Sequence, residues 1–170
     1  MKTTKSLLSL LLAAMMIFGT LGMTVSADSV YSDVNDGMWS YTDIMYVTEH
    51  GLMNGTGGTT FSPAVDVTRS MVVTVLYRME GSPAVKFDEY AYADIKEGEF
   101  YSDAVIWAWE NGIVTSVGQN DWGEDLFAPT RAITRQELAT MFVRYAEYRY
   151  VITEKQADIS GYKDIGDVAD

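Results

Sequence analysis

The chain carries the same series of residues twice, and this internal repeat constrains its fold more than any other feature. A set of residues spread over 33–78 reappears in the same order over 94–144. Corresponding positions are 61 residues apart up to a shared glycine, Gly51 and Gly112, and 66 residues apart afterwards. The second copy therefore has a five-residue insertion in the loop after its glycine. Repeats of this period bury their apolar faces on one another, so an array of units is predicted.

A third copy opens close to the last residue of the sequence, at Tyr162-Lys163-Asp164-Ile165. The repeat boundaries predict a first unit over 28–90 and a second over 91–152. Residues 153–170 are predicted to be a linker and the truncated start of a third unit.

The first 27 residues differ from the repeats. A positively charged start, an apolar run over 7–18 and small residues at 25–27 are typical of a secretory signal peptide, with cleavage predicted after Ala27. A single membrane-spanning anchor is the alternative. Its apolar run is short for a span, and threonine and glycine dilute the far end. We expect a secreted protein with no membrane contact once residues 1–27 are removed.

Composition narrows the range of partners. The net charge is -12, and removal of Lys2 and Lys5 with the signal peptide brings it to -14. Contacts to phosphate need clustered lysine and arginine, so nucleic acid and anionic membranes are excluded as partners. The chain has no cysteine, which excludes disulfides, thiol catalysis and cysteine-ligated metals. A secreted protein without cysteine favours the exterior of a bacterium.

Each copy has the pattern of a helix, a glycine-rich loop and a second helix. Apolar residues at helical spacing predict first helices over 39–50 and 101–111, each ending at its glycine, which suits a left-handed cap. The second helices are predicted over 69–79 and 135–150. The fold is therefore expected to be mainly α, built of tandem helix-loop-helix repeats.

The segment before each second helix carries its own signals. Residues 134–137, Thr-Arg-Gln-Glu, match a capping box, in which Thr134 and Glu137 satisfy free backbone N–H groups. Thr68 occupies the equivalent cap in the first copy, without the glutamate. Short extended segments are expected near Phe61 and Phe127, each of which begins a Phe-x-Pro motif.

These motifs together resemble the S-layer homology family. Its repeat runs roughly aromatic-x-Asp-Val, an aromatic residue, Gly-Ile, a glycine-containing loop, Phe-x-Pro and Thr-Arg-x-Glu. The resemblance covers about 31–149 as two full repeats and 162–170 as the start of another. The motifs that carry it are Tyr31-Ser32-Asp33-Val34, Trp39, Gly51-Leu52, Phe61-Ser62-Pro63 and Thr68-Arg69, then Tyr92-Ala93-Asp94-Ile95, Phe100, Gly112-Ile113, Phe127-Ala128-Pro129 and Thr134-Arg135-Gln136-Glu137.

The resemblance implies attachment to the cell wall. Repeats of this family, commonly three, form a pseudo-threefold helical bundle with binding grooves between adjacent repeats. They bind a secondary polysaccharide linked to peptidoglycan, often one that bears a pyruvate ketal. This implies a non-catalytic module at the bacterial cell surface, with the wall polysaccharide as partner and no cofactor.

Several side chains suit such a ligand. Arginine offers a planar fork of donors to a ketal carboxylate, and Arg69 and Arg135 each begin a helix, where backbone N–H groups add positive potential. Trp39 offers a flat apolar surface on which a sugar ring could stack. Core packing is the alternative interpretation for Trp39.

Five further positions complete the candidate glycan site. Asp33 and Asp94 are expected either to accept hydrogen bonds from sugar hydroxyls or to fix the loops. Gly55 would let the backbone approach a ligand closely. Phe100 stands where the first copy has tryptophan. For Glu137, a cap and a ligand contact both remain open.

Other kinds of site find little support. His50 is the only histidine, so a Ser-His-Asp triad has a single candidate base, at the end of a predicted helix. The acidic segments 33–37 and 120–125 lack the spacing and terminal glutamate of an EF-hand, which leaves weak extracellular calcium binding as the open alternative for them. No catalytic group, metal or cofactor is predicted. The alternative to a wall anchor is an exported scaffold, in which self-association or a partner chain completes the repeat array.

Overall fold

The structure is a computed structural model that describes residues 30–151 and Gly161. The compact unit begins at Tyr31. Its four helices are α1 (Tyr41–Glu49), α2 (Arg69–Met79), α3 (Ser102–Glu110) and α4 (Arg135–Tyr148). None of the helices in this part of the chain is long and apolar enough to cross a bilayer. The predicted signal peptide, the start of the third copy and any threefold bundle that includes it lie outside the described residues.

The mainly α prediction is confirmed, and the helix bounds differ from it only at the ends. α2 begins and ends where predicted. α1 and α3 are each shorter than predicted, and α4 ends at Tyr148. Near Phe61 and Phe127, where short extended segments were expected, the chain forms no strand and pairs only in isolated bridges, Gly57 with Thr60 and Gln119 with Asp125. The reason is local: Ser62 has a φ of 62° and Ala128 a φ of 57°, which turns the chain directly after each phenylalanine.

The helices begin and end through the signals that the sequence carries. The Thr68 side chain accepts a hydrogen bond from the Met71 N–H at the start of α2. A full capping box starts α4. Gly51 and Gly112 follow α1 and α3 with φ angles of 66° and 69°, the left-handed conformation that glycine adopts without strain.

The main core lies at the junction of the two repeats. α2, the second helix of the first repeat, packs against α3, the first helix of the second. α2 and α3 bury six residues each, whereas α1 buries only Ile44 and α4 only Met141. Among the four helices, the two at the junction thus carry most of the buried residues. The two outer helices each leave one side open.

An aspartate in each repeat holds the turn after the glycine-rich loop. The two carboxylate oxygens of Asp33 accept hydrogen bonds from the backbone N–H groups of 61 and 62, at 2.8 and 2.7 Å. Asp94 binds the N–H groups of 127 and 128 at the same two distances. The hydrogen bond from residue 61 lowers the pKa of Asp33, as expected for an acceptor that is needed in its charged form. Of the two roles expected for these aspartates, the structure shows loop fixation.

Replacing Asp94 by alanine leaves two backbone N–H groups without an acceptor beside the buried Phe127. We expect Asp94→Ala to lower the free energy of unfolding by about 1–3 kcal/mol, as measured by urea denaturation. The exposed Asp36 provides a control, and Asp36→Ala should change it by less than about 0.5 kcal/mol. Equal effects of the two substitutions would contradict the role assigned to Asp94.

Candidate functional site

A groove of about 440 Å³ lies where the two repeats meet. Its walls come from the glycine-rich loop 52–56, the Phe-Ser-Pro turn 61–63, the segment 65–67 and one side of α2. Phe100, just before α3, closes it from the second repeat. The α2 residues that line the groove are Met71, Thr74, Val75 and Arg78. This is the position between adjacent repeats where the resemblance places a binding groove.

Two of the eight predicted site residues line this groove, and the other six, which include Asp33, Asp94 and Glu137, do not. Gly55 and Phe100 line it, and Phe100 is 63% exposed, with its ring edge-on to that of Tyr101. Trp39, Arg69 and Arg135 are absent from its walls. Trp39 lies in the turn before α1 and is 93% exposed, so the alternative of core packing for this residue is wrong.

Arg69 points into the second repeat. Its side chain is 4% exposed, and all three of its guanidinium nitrogens donate hydrogen bonds across the junction. Nε binds the carbonyl of Phe127 at 2.9 Å, Nη2 the carbonyl of Thr115 at 3.3 Å, and Nη1 the carboxylate of Glu137 at 3.0 Å. The guanidinium carbon also lies 4.8 Å from the centre of the Phe127 ring. The fork expected to bind a ligand therefore joins the two repeats.

Glu137 is the acidic centre of this junction. It accepts hydrogen bonds from Arg69, from Arg131 at 2.5 Å and from the Thr134 N–H at 3.0 Å. Partial burial raises the pKa of Glu137, but these hydrogen bonds and the charge of Arg69 outweigh it and bring the pKa to about 2. Glu137 is thus both a helix cap and an ion-pair partner within the protein.

Arg135 holds the same place in the second repeat as Arg69 in the first, but its surroundings are different. Its side chain is exposed, and no hydrogen bond or ion pair joins it to another residue of 30–151. Arg69 is covered because a further repeat follows it. Among the described residues, nothing follows α4 in the same way.

Arg78 is the functional candidate that the sequence analysis missed. It is half-buried near the end of α2, and its Nη1 donates to the Leu52 carbonyl at 3.1 Å. Arg78 is the only cation among the described residues that line the groove. Its other guanidinium N–H groups have no protein acceptor within 30–151. The Tyr77-Arg78 pair recurs as Val143-Arg144, and that recurrence was the available signal.

Gly55 is required by packing inside its own loop. A Cβ atom at this position would overlap the carbonyl oxygen of Thr60 and lie 2.7 Å from the Tyr31 ring. The Tyr31 hydroxyl accepts a hydrogen bond from the Gly55 N–H at 3.1 Å. We expected the Gly55 backbone to approach a ligand closely. It approaches Thr60 and Tyr31 of its own repeat instead, although Gly55 also forms part of the groove wall.

The insertion in the second repeat forms a small acidic hairpin over 117–126. Three backbone hydrogen bonds of 2.9 Å close it: Val117 N–H to the Leu126 carbonyl, Leu126 N–H to Gly118, and Asn120 N–H to Glu124. Trp122 stands at the tip, 83% exposed. Across residues 30–151, no three acidic or histidine side chains come close enough to hold a metal ion.

Comparison with known proteins shows what the sequence is similar to. The S-layer homology domain matches residues 30–70 and 91–139, which together are more than half of the chain. An endoglucanase of Bacillus sp. (strain KSM-635) is 34% identical over 155 residues, which cover 86% of this chain and 16% of the endoglucanase. The surface-layer 125 kDa protein of Lysinibacillus sphaericus is 27% identical over 140 residues, 79% of this chain and 11% of that protein.

A third relative, the exoglucanase XynX of Acetivibrio thermocellus, is 23% identical over 161 residues. The match covers 90% of this chain and 14% of the exoglucanase. The chain thus spans less than a fifth of the length of each of these three relatives.

Arg69 and Arg135 provide a matched pair for testing the junction. Arg69→Met removes three hydrogen bonds and a buried charge partner of Glu137, so we expect a loss of about 3 kcal/mol in the free energy of unfolding. Arg135→Met, at the equivalent exposed position, should cost no more than about 0.5 kcal/mol. Chemical denaturation at neutral pH measures both. Similar losses would show that burial does not distinguish the two arginines.

Glu137 should make stability depend on pH in acid. Its pKa in the folded chain, about 2, is below the ordinary value of 4.5, so its contribution is complete above about pH 4.5 and is lost as the pH falls toward 2. Glu137→Gln should therefore destabilise the protein at pH 7 and have little effect near pH 2. Thermal unfolding across this range, with the exposed Glu147→Gln as control, measures the difference. A penalty independent of pH would contradict the assignment.

Proposed function

Because the chain belongs to the S-layer homology domain family, we propose that it is a non-catalytic module that anchors an exported protein to the bacterial cell wall by binding wall polysaccharide. The observation that carries this proposal is the groove at the repeat junction. Location at the cell surface follows from the family and from the surface-layer relative.

The relatives support a role that is separate from catalysis. Two are named as glucanases and one as a surface-layer protein, yet all three share this segment. The segment makes up at most 16% of each of the three. A segment shared by proteins with different named activities is better suited to anchoring those proteins than to catalysing any one of their reactions.

The groove has the chemistry that a charged sugar requires. Phe100 presents an exposed ring on which the apolar face of a sugar can stack. Arg78 faces the same space with donors left for a carboxylate, such as that of a pyruvate ketal. The backbone of the loop that contains Gly55 adds hydrogen-bonding groups along one wall. In this proposal Arg78 takes the part that the sequence analysis gave to Arg69.

The remaining candidates fall into two groups. Arg69, Asp33, Asp94 and Glu137 act by holding the loops and repeats that form the groove. Trp39 and Arg135 are exposed, and neither lines the groove. In this proposal they would serve a ligand only in a groove to which a further repeat contributes.

Binding to isolated cell-wall sacculi tests the proposal, before and after extraction of the secondary polymer. The compact unit begins at Tyr31, so the chain from Asp28 onward is suitable. Arg78→Gln removes a charged donor and Phe100→Ala a stacking surface, and each should weaken binding about tenfold or more. Arg144→Gln, the equivalent position in the second repeat, is the matched control and should bind normally.

The outcomes separate the function from the site. No binding to sacculi by the unchanged chain would contradict wall anchoring. Normal binding by both Arg78→Gln and Phe100→Ala would leave wall anchoring in place and exclude this groove as the site. Binding that survives extraction of the polymer would make peptidoglycan itself the ligand.

An exported scaffold completed by a partner chain is the second candidate function. The observation that favours it is the contrast in burial between the outer helices and the junction helices. It predicts association that depends on protein concentration without affinity for sacculi. A monomer that binds sacculi would contradict it.

A further inference from the structure

Given the wall-binding function proposed above, on which this inference rests, we propose that the groove takes a polysaccharide that carries primary amines as well as carboxylates. Asp66 binds the protonated amine and Arg78 binds the carboxylate. The observation behind this is that the groove wall carries two charges of opposite sign, one on each of these side chains.

The two charged side chains of the groove do not pair with each other. The three ion pairs of the described residues involve neither Asp66 nor Arg78. Asp66 is exposed, and no hydrogen bond joins its side chain to another residue of 30–151. Its carboxylate oxygens are therefore available to a ligand, as are the remaining donors of Arg78.

The fold of the repeat does not account for Asp66. Asp33 and Asp94 hold equivalent turns in the two copies, so an aspartate recurs where the loops need one. Asp66 stands where the second copy has Ala132, whereas Arg78 recurs as Arg144. The carboxylate is thus a feature of this groove and not of the repeat in general.

A ligand with negative charges alone would fit the groove poorly. Asp66 lies between Val65 and Val67, and all three line the groove. A ligand that pairs only with Arg78 would remove water from the Asp66 carboxylate without supplying a positive charge, which costs free energy. The net charge of -12 adds to the repulsion of a polyanion.

A protonated amine on the ligand removes both penalties. An ammonium group donates up to three hydrogen bonds and neutralises the Asp66 carboxylate. A sugar hydroxyl can also donate to a carboxylate, but it leaves the negative charge unpaired. The groove volume of about 440 Å³ is at the small end of ligand pockets, so both charges act on the same short stretch of glycan. The ligand class is therefore a glycan with an unacetylated amino sugar next to an acidic group.

Acetylation of the sacculi before the chain is added tests the proposal. Acetic anhydride in bicarbonate buffer converts primary amines to neutral amides and leaves carboxylates unchanged. The chain from Asp28 onward should bind acetylated sacculi about tenfold more weakly than untreated sacculi. Asp66→Asn keeps the side-chain size and removes the charge. It should bind untreated sacculi about tenfold more weakly and should be insensitive to acetylation, because both changes remove the same contact.

Two further variants serve as controls. Asp36→Asn makes the same change in net charge at an exposed aspartate outside the groove, so it should bind both kinds of sacculi like the unchanged chain. Arg78→Gln removes the carboxylate contact and leaves the amine contact, so its residual binding should still fall on acetylation. The comparison of treated with untreated sacculi uses the unchanged chain, and it stands whether or not a variant folds.

A competition experiment identifies the source of the amine. The secondary polymer, once extracted, is acetylated separately, and native and acetylated polymer are compared as competitors for binding to untreated sacculi. The native polymer should compete about tenfold better than the acetylated polymer. Equal competition would place the amine outside the polymer and overturn the proposal.

The contrary outcomes are distinct from failure of the proposed function. No binding of the unchanged chain to untreated sacculi would contradict wall anchoring itself. Equal binding to acetylated and untreated sacculi would leave wall anchoring in place and overturn the amine requirement. An equal loss on acetylation for Asp66→Asn and the unchanged chain would overturn the role of Asp66.

Discussion

The junction of the two repeats, and with it the rest of the structure, depends on the buried charge of the Arg69 guanidinium. Burial lowers the pKa of Arg69, which reflects the cost of removing a guanidinium from water, and the charge of Glu137 acts against this shift. Every acceptor of the Arg69 side chain belongs to the second repeat, so the buried guanidinium is satisfied only when that repeat is folded. A second link between the repeats lies at the other end of α2, where Glu80 accepts hydrogen bonds from Tyr145 and Arg149. The repeats therefore stabilise each other, and the groove is closed by Phe100 only in the folded pair.

Stability should fall away from this junction toward both ends. The first repeat has a small core of its own, Tyr31, Val34 and Ile44, separate from the main cluster. In repeat arrays each unit is stabilised mainly by its neighbours. Segments with few buried contacts open most easily. α1 is therefore the helix with the fewest stabilising contacts of the four. A partner that covers α1 would stabilise it.

Much of the fold followed from local chemistry. Thr68 and Thr134 cap their helices, and the glycines after α1 and α3 end theirs, because these signals act within a few residues. The environment of each arginine was beyond prediction. The repeat shows that Arg69 and Arg135 are equivalent, but only the neighbouring unit decides that the first is buried and the second exposed. Trp39 is 93% exposed, whereas its equivalent Phe100, which has the first repeat beside it, is 63% exposed. A periodic pattern identifies equivalent positions without giving their surroundings.

The hairpin over 117–126 is a place where the chain can accept additional residues. Its base is closed by the pair of hydrogen bonds that link Leu126 to Val117 and Gly118, and the turn that follows is held by Asp94. The two points where the insertion leaves and rejoins the repeat are therefore fixed independently of what lies between them. Lengthening a loop whose ends are already held costs little conformational entropy. The tip at Trp122 is thus a permissive position, at which evolution or an engineer can splice in an epitope or a small domain without disturbing the junction.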